Sequence, residues 1–136
     1  MRIVAYCLMP NHWHLLLWPE TDRDLSRYLH WVTGTHAHRW RRTTETLGEG
    51  AVYQGRFGST VVLDQLHLLS VWRYIERNPV EAGLTRRCEE WPWSSAAHLV
   101  GRHSDLTLDA GPIARPPDWL AIVNRELDVL APFESV

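Results

Sequence analysis

Leu8-Met9-Pro10-Asn11-His12-Trp13-His14-Leu15-Leu16 decides how this chain is read. Two apolar runs flank its polar centre, Ile3 to Met9 before and Leu15 to Trp18 after. Both runs are short, partly β-branched or aromatic, and bounded by turn residues, so they predict the two strands of a hairpin. Pro10 fixes its own φ and has no N–H to donate, and Asn11 tolerates turn geometry, so the reversal is expected there. Side chains alternate across a strand. His12 and His14 therefore share one side, with Trp13 on the other. Two neighbouring imidazoles are a partial ligand set for a divalent metal, though a lone His-x-His is more often two half-exposed histidines.

A second His-x-His, His36 and His38, shows how the element decides the meaning. Leu25, Tyr28, Leu29 and Val32 recur at helical spacing, which predicts a helix from Leu25 to about Arg42, capped by Thr21 or Asp22. Positions two apart on a helix diverge by roughly 200°. His36 and His38 cannot share an ion and read as surface histidines.

The 136 residues fit one domain with its own core, and 45% are apolar. No apolar run approaches the ~18 residues of a membrane span, and no basic stretch leads into an apolar one at the N-terminus. A partner membrane is not expected. Two cysteines, Cys7 and Cys88, lie far apart without metal-type spacing, as in a reduced, cytoplasmic protein. All 14 basic side chains are arginine. Residues 23–87 hold ten of them against six acids, whereas the rest of the chain is acidic and the whole carries −2. Arginine is the better fork for phosphate, so an anionic partner is expected on the middle of the chain.

Ser59-Thr60-Val61-Val62-Leu63 reads as a strand, preceded by a close-approach segment containing Gln54, Gly55, Arg56 and Gly58. Asp64 is placed to cap a helix from Leu66 to Arg77, with Leu68, Val71, Trp72 and Ile75 as its buried stripe. Pro79 is expected to end it. Tyr74 and Asn78 stand four apart on its flank, hence on one face. Left alone, Tyr74 reads as a core-edge tyrosine and Asn78 as a helix-end cap. Ser94 to Leu99 reads as a short capped helix with Trp72, Trp91 and Trp93 in the core. Residues 1–100 are expected to form the domain. Residues 101–136 are expected to form a tail with a helix near Trp119 to Leu130.

A phenol is protonated at neutral pH and a poor nucleophile unaided. Beside a metal that withdraws charge from a phosphodiester, its oxygen can attack phosphorus and store the bond for a later transfer. Four stretches carry a resemblance at this point. They are Leu8 to Leu16, Gln54-Gly55-Arg56-Phe57, Arg73 to Leu84 (RYIERNPVEAGL), and Trp91-Pro92-Trp93-Ser94-Ser95. In that order they resemble the motif series of single-tyrosine HUH transposases, in particular the REP-associated, IS200-like branch.

The resemblance implies an α+β, ferredoxin-like fold with an antiparallel sheet and helices on one face. It implies His12, His14 and Asn78 as ligands to Mg²⁺ or Mn²⁺, and Tyr74 as the nucleophile. The implied reaction is cleavage and rejoining of single-stranded or hairpin DNA, that is, DNA transposition. Arg39, Arg41, Arg42, Gln54, Arg56, Arg73 and Arg77 match the surface such a substrate needs. Family members carry a further strand and helix ahead of Tyr6-Cys7-Leu8. Without them the His strand would have an open edge. A start upstream of Met1, a decayed transposase remnant, or a strand from a second copy in a homodimer would each account for that. The alternatives are a DNA-hairpin binding module without turnover and a metal-dependent hydrolase in which Tyr74 is incidental.

Overall fold

A computed structural model of the chain describes residues 1–46, 50–55, 57–102 and 105–126. Arg56 and the stretch beyond Glu126 lie outside the described residues. The architecture is α+β. Strands β1 (Arg2–Leu8) and β2 (Trp13–Trp18) form an antiparallel hairpin. Its turn closes with Met9 N–H on the His12 carbonyl at 2.8 Å, which puts Pro10 and Asn11 at the tip as their residue types require. The pairing sets Cys7 opposite His14 and Leu8 opposite Trp13. A register shift between Ile3 and Ala5 leaves Val4 as an extra residue aimed into the core.

Helix α1 (Asp24–Thr43) begins two or three residues later than its expected cap, and Thr21 and Asp22 do not cap it with their side chains. Asp24 does the local work instead. Its carboxylate accepts the N–H groups of Glu20 and Thr21 at 3.2 and 2.9 Å, which turns the chain into the helix. Only Leu29 of α1 is buried.

Helix α2 (Gln65–Glu81) is capped by Asp64, whose side chain accepts His67 N–H at 2.8 Å. Pro79 does not end it. The helix runs one turn further because a proline in the last turn forfeits a single bond, and its buried ring contributes to the packing. The stop is Gly83. At φ +68° it takes the left-handed conformation, with Gly83 N–H on Val80 O and Leu84 N–H on Pro79 O, both at 2.9 Å. That is the Schellman pattern of a glycine-terminated helix.

The segment Ser59–Leu63 is not a strand, a further correction to the sequence reading. A strand exists only through a neighbour's hydrogen bonds. Among the described residues β2 pairs with β1 alone. The outer edge of β1, by contrast, is covered by irregular chain. Leu8 N–H meets Trp93 O and Asp109 N–H meets Ile3 O, both at 2.8 Å, while Tyr6 N–H meets Ser95 Oγ at 3.1 Å. Ser95 opens a 3₁₀ helix (Ser95–Val100). A short helix α3 (Trp119–Asn124) follows.

The core gathers Val4, Ala5, Cys7 and Leu16 from the hairpin, Leu68, Trp72 and Ile75 from α2, and Trp119 and Val123 from α3. The C-terminal segment therefore packs with the rest. Trp72 is in the core as expected, but Trp93 is 60% exposed and Trp91 only half-buried. Both cysteines are free and buried. At the centre of this apolar body sits Glu76, fully buried. Ser95 Oγ and Trp119 Nε1 donate to it at 2.6 Å, Trp72 Nε1 at 3.2 Å and Arg115 at 3.4 Å. A buried carboxylate is tolerable only with such a complement of donors. One acid thus fastens α2 to the wrap over β1 and to α3. Among the described residues no helix is long and apolar enough to cross a membrane.

Candidate functional site

The hairpin turn delivers His12 and His14 to the same side of β2. Their ring centroids lie 4.9 Å apart, edge to face. His12 is exposed, and its Nδ1 lies 2.7 Å from Asn11 Oδ1. An amide oxygen only accepts, so Nδ1 carries the proton and Nε2 keeps its lone pair. His14 is half-buried. Burial, and then the charge of His12, push its pKa below 6.5, with Asn78 pulling the other way. Its Nε2 is buried and has no hydrogen-bond partner among the described residues.

Helix α2 supplies the opposite wall. The Tyr74 ring centroid lies 5.4 Å from that of His14, at an interplanar angle of 77°. Tyr74 is 47% exposed, so its hydroxyl is open to a ligand, not sealed in the core. Asn78 follows one turn later. Its Nδ2 donates to the Tyr74 carbonyl at 3.0 Å, and its side chain also acts on His14 across the gap.

This donor set fits a divalent cation. The observation that carries the fit is the orphaned Nε2 of His14, a buried ring nitrogen that costs free energy unless something binds it. Two neutral imidazoles and an amide oxygen suit a borderline or hard ion such as Mn²⁺ or Mg²⁺. Among the described residues no group of three or more His, Cys, Asp and Glu gathers anywhere. A metal held here would complete its shell with solvent or substrate oxygen.

The residues expected to contact DNA separate into two groups. Arg39, Arg42 and Gln54 are exposed, and Arg41 is half-buried with one donor on the Gly50 carbonyl. Arg73 and Arg77 are employed differently. Arg73 donates to the carbonyls of Ile122 and Arg125, while the buried Arg77 pairs with Glu81 and donates to Val123 O at 2.8 Å. Both fasten α2 to the C-terminal segment. Arg56 lies outside the described residues.

Three contacts had no signal in the sequence: Asn11 on His12, Glu76 with its four donors, and Tyr53 on His36. Each depends on chain segments that approach only in the fold, or on a turn geometry that residue type alone leaves open. His36 and His38 stand apart on α1 as the helical period requires.

A family model described as Transposase IS200 like matches residues 1–78. A Haemophilus influenzae protein named as a REP-associated tyrosine transposase is 27% identical over 124 residues, which is 85% of this chain and 65% of that protein. The chain thus spans just under two thirds of the length of the curated relative it matches. No solved structure matches it.

Proposed function

The chain belongs to the IS200-like transposase family, and from that premise we propose that it cleaves and transfers single-stranded or hairpin DNA through a 5′-phosphotyrosine intermediate, as a step of DNA transposition. The observation that supports this most is the meeting of Tyr74 and His14. An exposed phenol on α2 stands 5.4 Å, ring to ring, from an imidazole on β2 whose buried nitrogen lacks a partner.

The chemistry follows from the residues. Tyr74 Oη attacks the phosphorus in line and gives its proton to solvent. The Oη–P bond forms as the P–O3′ bond breaks, and the departing oxygen takes up a proton as a free 3′-OH. One ester replaces another, so the bond energy is retained and a second 3′-OH can reverse the step elsewhere. His12 and His14, completed by Asn78, would hold Mg²⁺ or Mn²⁺. When bound, such an ion supplies charge withdrawal at the non-bridging phosphate oxygens. Asn11 holds His12 in the tautomer that leaves Nε2 free. The backbone of α2 keeps Tyr74 and Asn78 on one face, and the Asn78–Tyr74 hydrogen bond turns the amide oxygen away from the helix.

The test is a labelled single-stranded hairpin incubated with the chain and Mn²⁺, resolved on a denaturing gel. The expected result is a protein–DNA adduct that Tyr74→Phe abolishes. His12→Ala should lose the adduct yet shift the same DNA on a native gel. Binding with no adduct in the intact chain would replace this reading with a hairpin-binding module. Cleavage that survives Tyr74→Phe would replace it with a metal-dependent hydrolase.

A further inference from the structure

On the far side of β2 from the histidine pair, four aromatic rings follow one another outward. Trp13, flanked in sequence by His12 and His14, meets Tyr53 edge to face at 6.5 Å between centroids. Tyr53 lies 5.7 Å from His36, with its hydroxyl 2.7 Å from His36 Nδ1. His36 lies 6.1 Å from Trp40, one turn on along α1. Trp13 and Tyr53 are half-buried, whereas His36 and Trp40 are exposed, Trp40 by 52%.

A ladder of rings is ordinary inside a core, but this one leaves the core and ends in solvent. It ends beside a cation. Arg39, three positions from His36 and so on the same side of α1, is exposed and in no ion pair among the described residues, whereas Arg42, two positions past Trp40, projects from the other side. Exposed rings beside an unpaired guanidinium group match the two needs of a single nucleic-acid strand. Its bases stack on π-faces and its phosphates take the cations. Double-stranded DNA hides its base faces and would use only the arginine.

We propose that the ladder from Tyr53 through His36 to Trp40, with Arg39 beside it, is a base-stacking track for the single-stranded DNA adjoining the cleavage site. Trp40 is the outermost platform, and the Tyr53–His36 hydrogen bond ties the loop carrying Tyr53 to α1. The inference rests on DNA being the partner, as proposed above, but not on Tyr74 chemistry.

Helix α1 supplies its own control. Trp31 is even more exposed, at 64%, yet nine positions from Trp40 it projects from the opposite side of the helix. The probe is a fluorescein-labelled oligothymidylate of about 20 nucleotides, followed by anisotropy, because stacking is sequence-tolerant and worth about 1–3 kcal/mol per base. Trp40→Ala should weaken binding about tenfold, Trp40→Phe should recover most of that, and Trp31→Ala should stay within about twofold of the parent. An abasic strand of equal length should bind parent and Trp40→Ala alike. Arg39→Ala should instead flatten the salt dependence by about one charge.

Equal weakening by Trp31→Ala, an undiminished Trp40→Ala, or the same Trp40→Ala loss on the abasic strand would overturn the track. So would absence of single-strand binding by the parent, or tighter binding of oligouridylate than of oligothymidylate. Failure of the phosphotyrosine reading alone looks different: no adduct on the gel, with the Trp40 effect intact.

Discussion

Glu76→Ala is the perturbation whose size the structure specifies best. The carboxylate is fully buried and takes hydrogen bonds from two indoles, a serine and an arginine. Truncation does not affect these donors equally. Ser95 Oγ can turn to the Tyr6 carbonyl at 3.2 Å, and Arg115 can reach solvent with the fifth of its side chain that is exposed. The Trp72 and Trp119 indole N–H groups have no such outlet, since both rings are at most 3% exposed. Each buried donor left unpaired costs about 1–3 kcal/mol. The two donors and the cavity left by the removed side chain together give roughly 3–7 kcal/mol, against about 5–15 kcal/mol for a typical domain. Glu76→Gln keeps one acceptor but points an NH₂ group at donors, so about half that loss is expected. Urea unfolding followed by tryptophan fluorescence measures both. Variants within about 1 kcal/mol of the parent would refute the reasoning, because the four donors would then have to be satisfied elsewhere.

Three further outcomes follow from single contacts. Asn11→Ala should weaken Mn²⁺ binding, read by electron paramagnetic resonance, about 10- to 100-fold, as for the loss of an outer-shell partner. In the parent, ¹⁵N spectra should show His12 protonated at Nδ1, and Asn11→Asp should preserve that tautomer. His14 titrates below 6.5 because burial and then His12 disfavour its charged form, outweighing Asn78. A depressed pKa means that the unfolded chain binds the extra proton more readily. His14 therefore contributes stability that is present above pH 6.5 and lost as the pH falls through its folded value. A ring titrating at or above 6.5 by NMR would contradict this. Gly83→Ala has room for its methyl, with nothing within 4 Å, so only the left-handed backbone at φ +68° opposes it. The expected cost is about 1–2 kcal/mol in urea unfolding.

What the sequence made legible was local. Pro10 and Asn11 place the hairpin turn, and strand alternation puts His12 and His14 together, as their ring distance bears out. Asp64 caps α2, and the four-residue spacing puts Tyr74 and Asn78 on one face. What stayed hidden depends on distant partners. Val61 and Val62 have strand-forming side chains but no paired neighbour among the described residues, so Ser59–Leu63 is not a strand. Pro79 looked like a stop, yet termination waits for Gly83, where the left-handed turn closes two carbonyls. Arg73 and Arg77 resemble a basic patch until α3 arrives to take their donors. Whether an arginine meets phosphate or a carbonyl is settled by packing, which residue type does not encode.

The central claim is that one phenol becomes esterified to DNA. Mass spectrometry of the proteolysed protein, after reaction with hairpin DNA and Mn²⁺ and nuclease trimming, tests it most directly. The account predicts a nucleotide phosphate on the peptide containing Tyr74, attached through the tyrosine oxygen, with a free 3′-OH on the released strand. A nucleotide carried on any other residue, or cut DNA with the Tyr74 peptide unmodified at every time point, would contradict it.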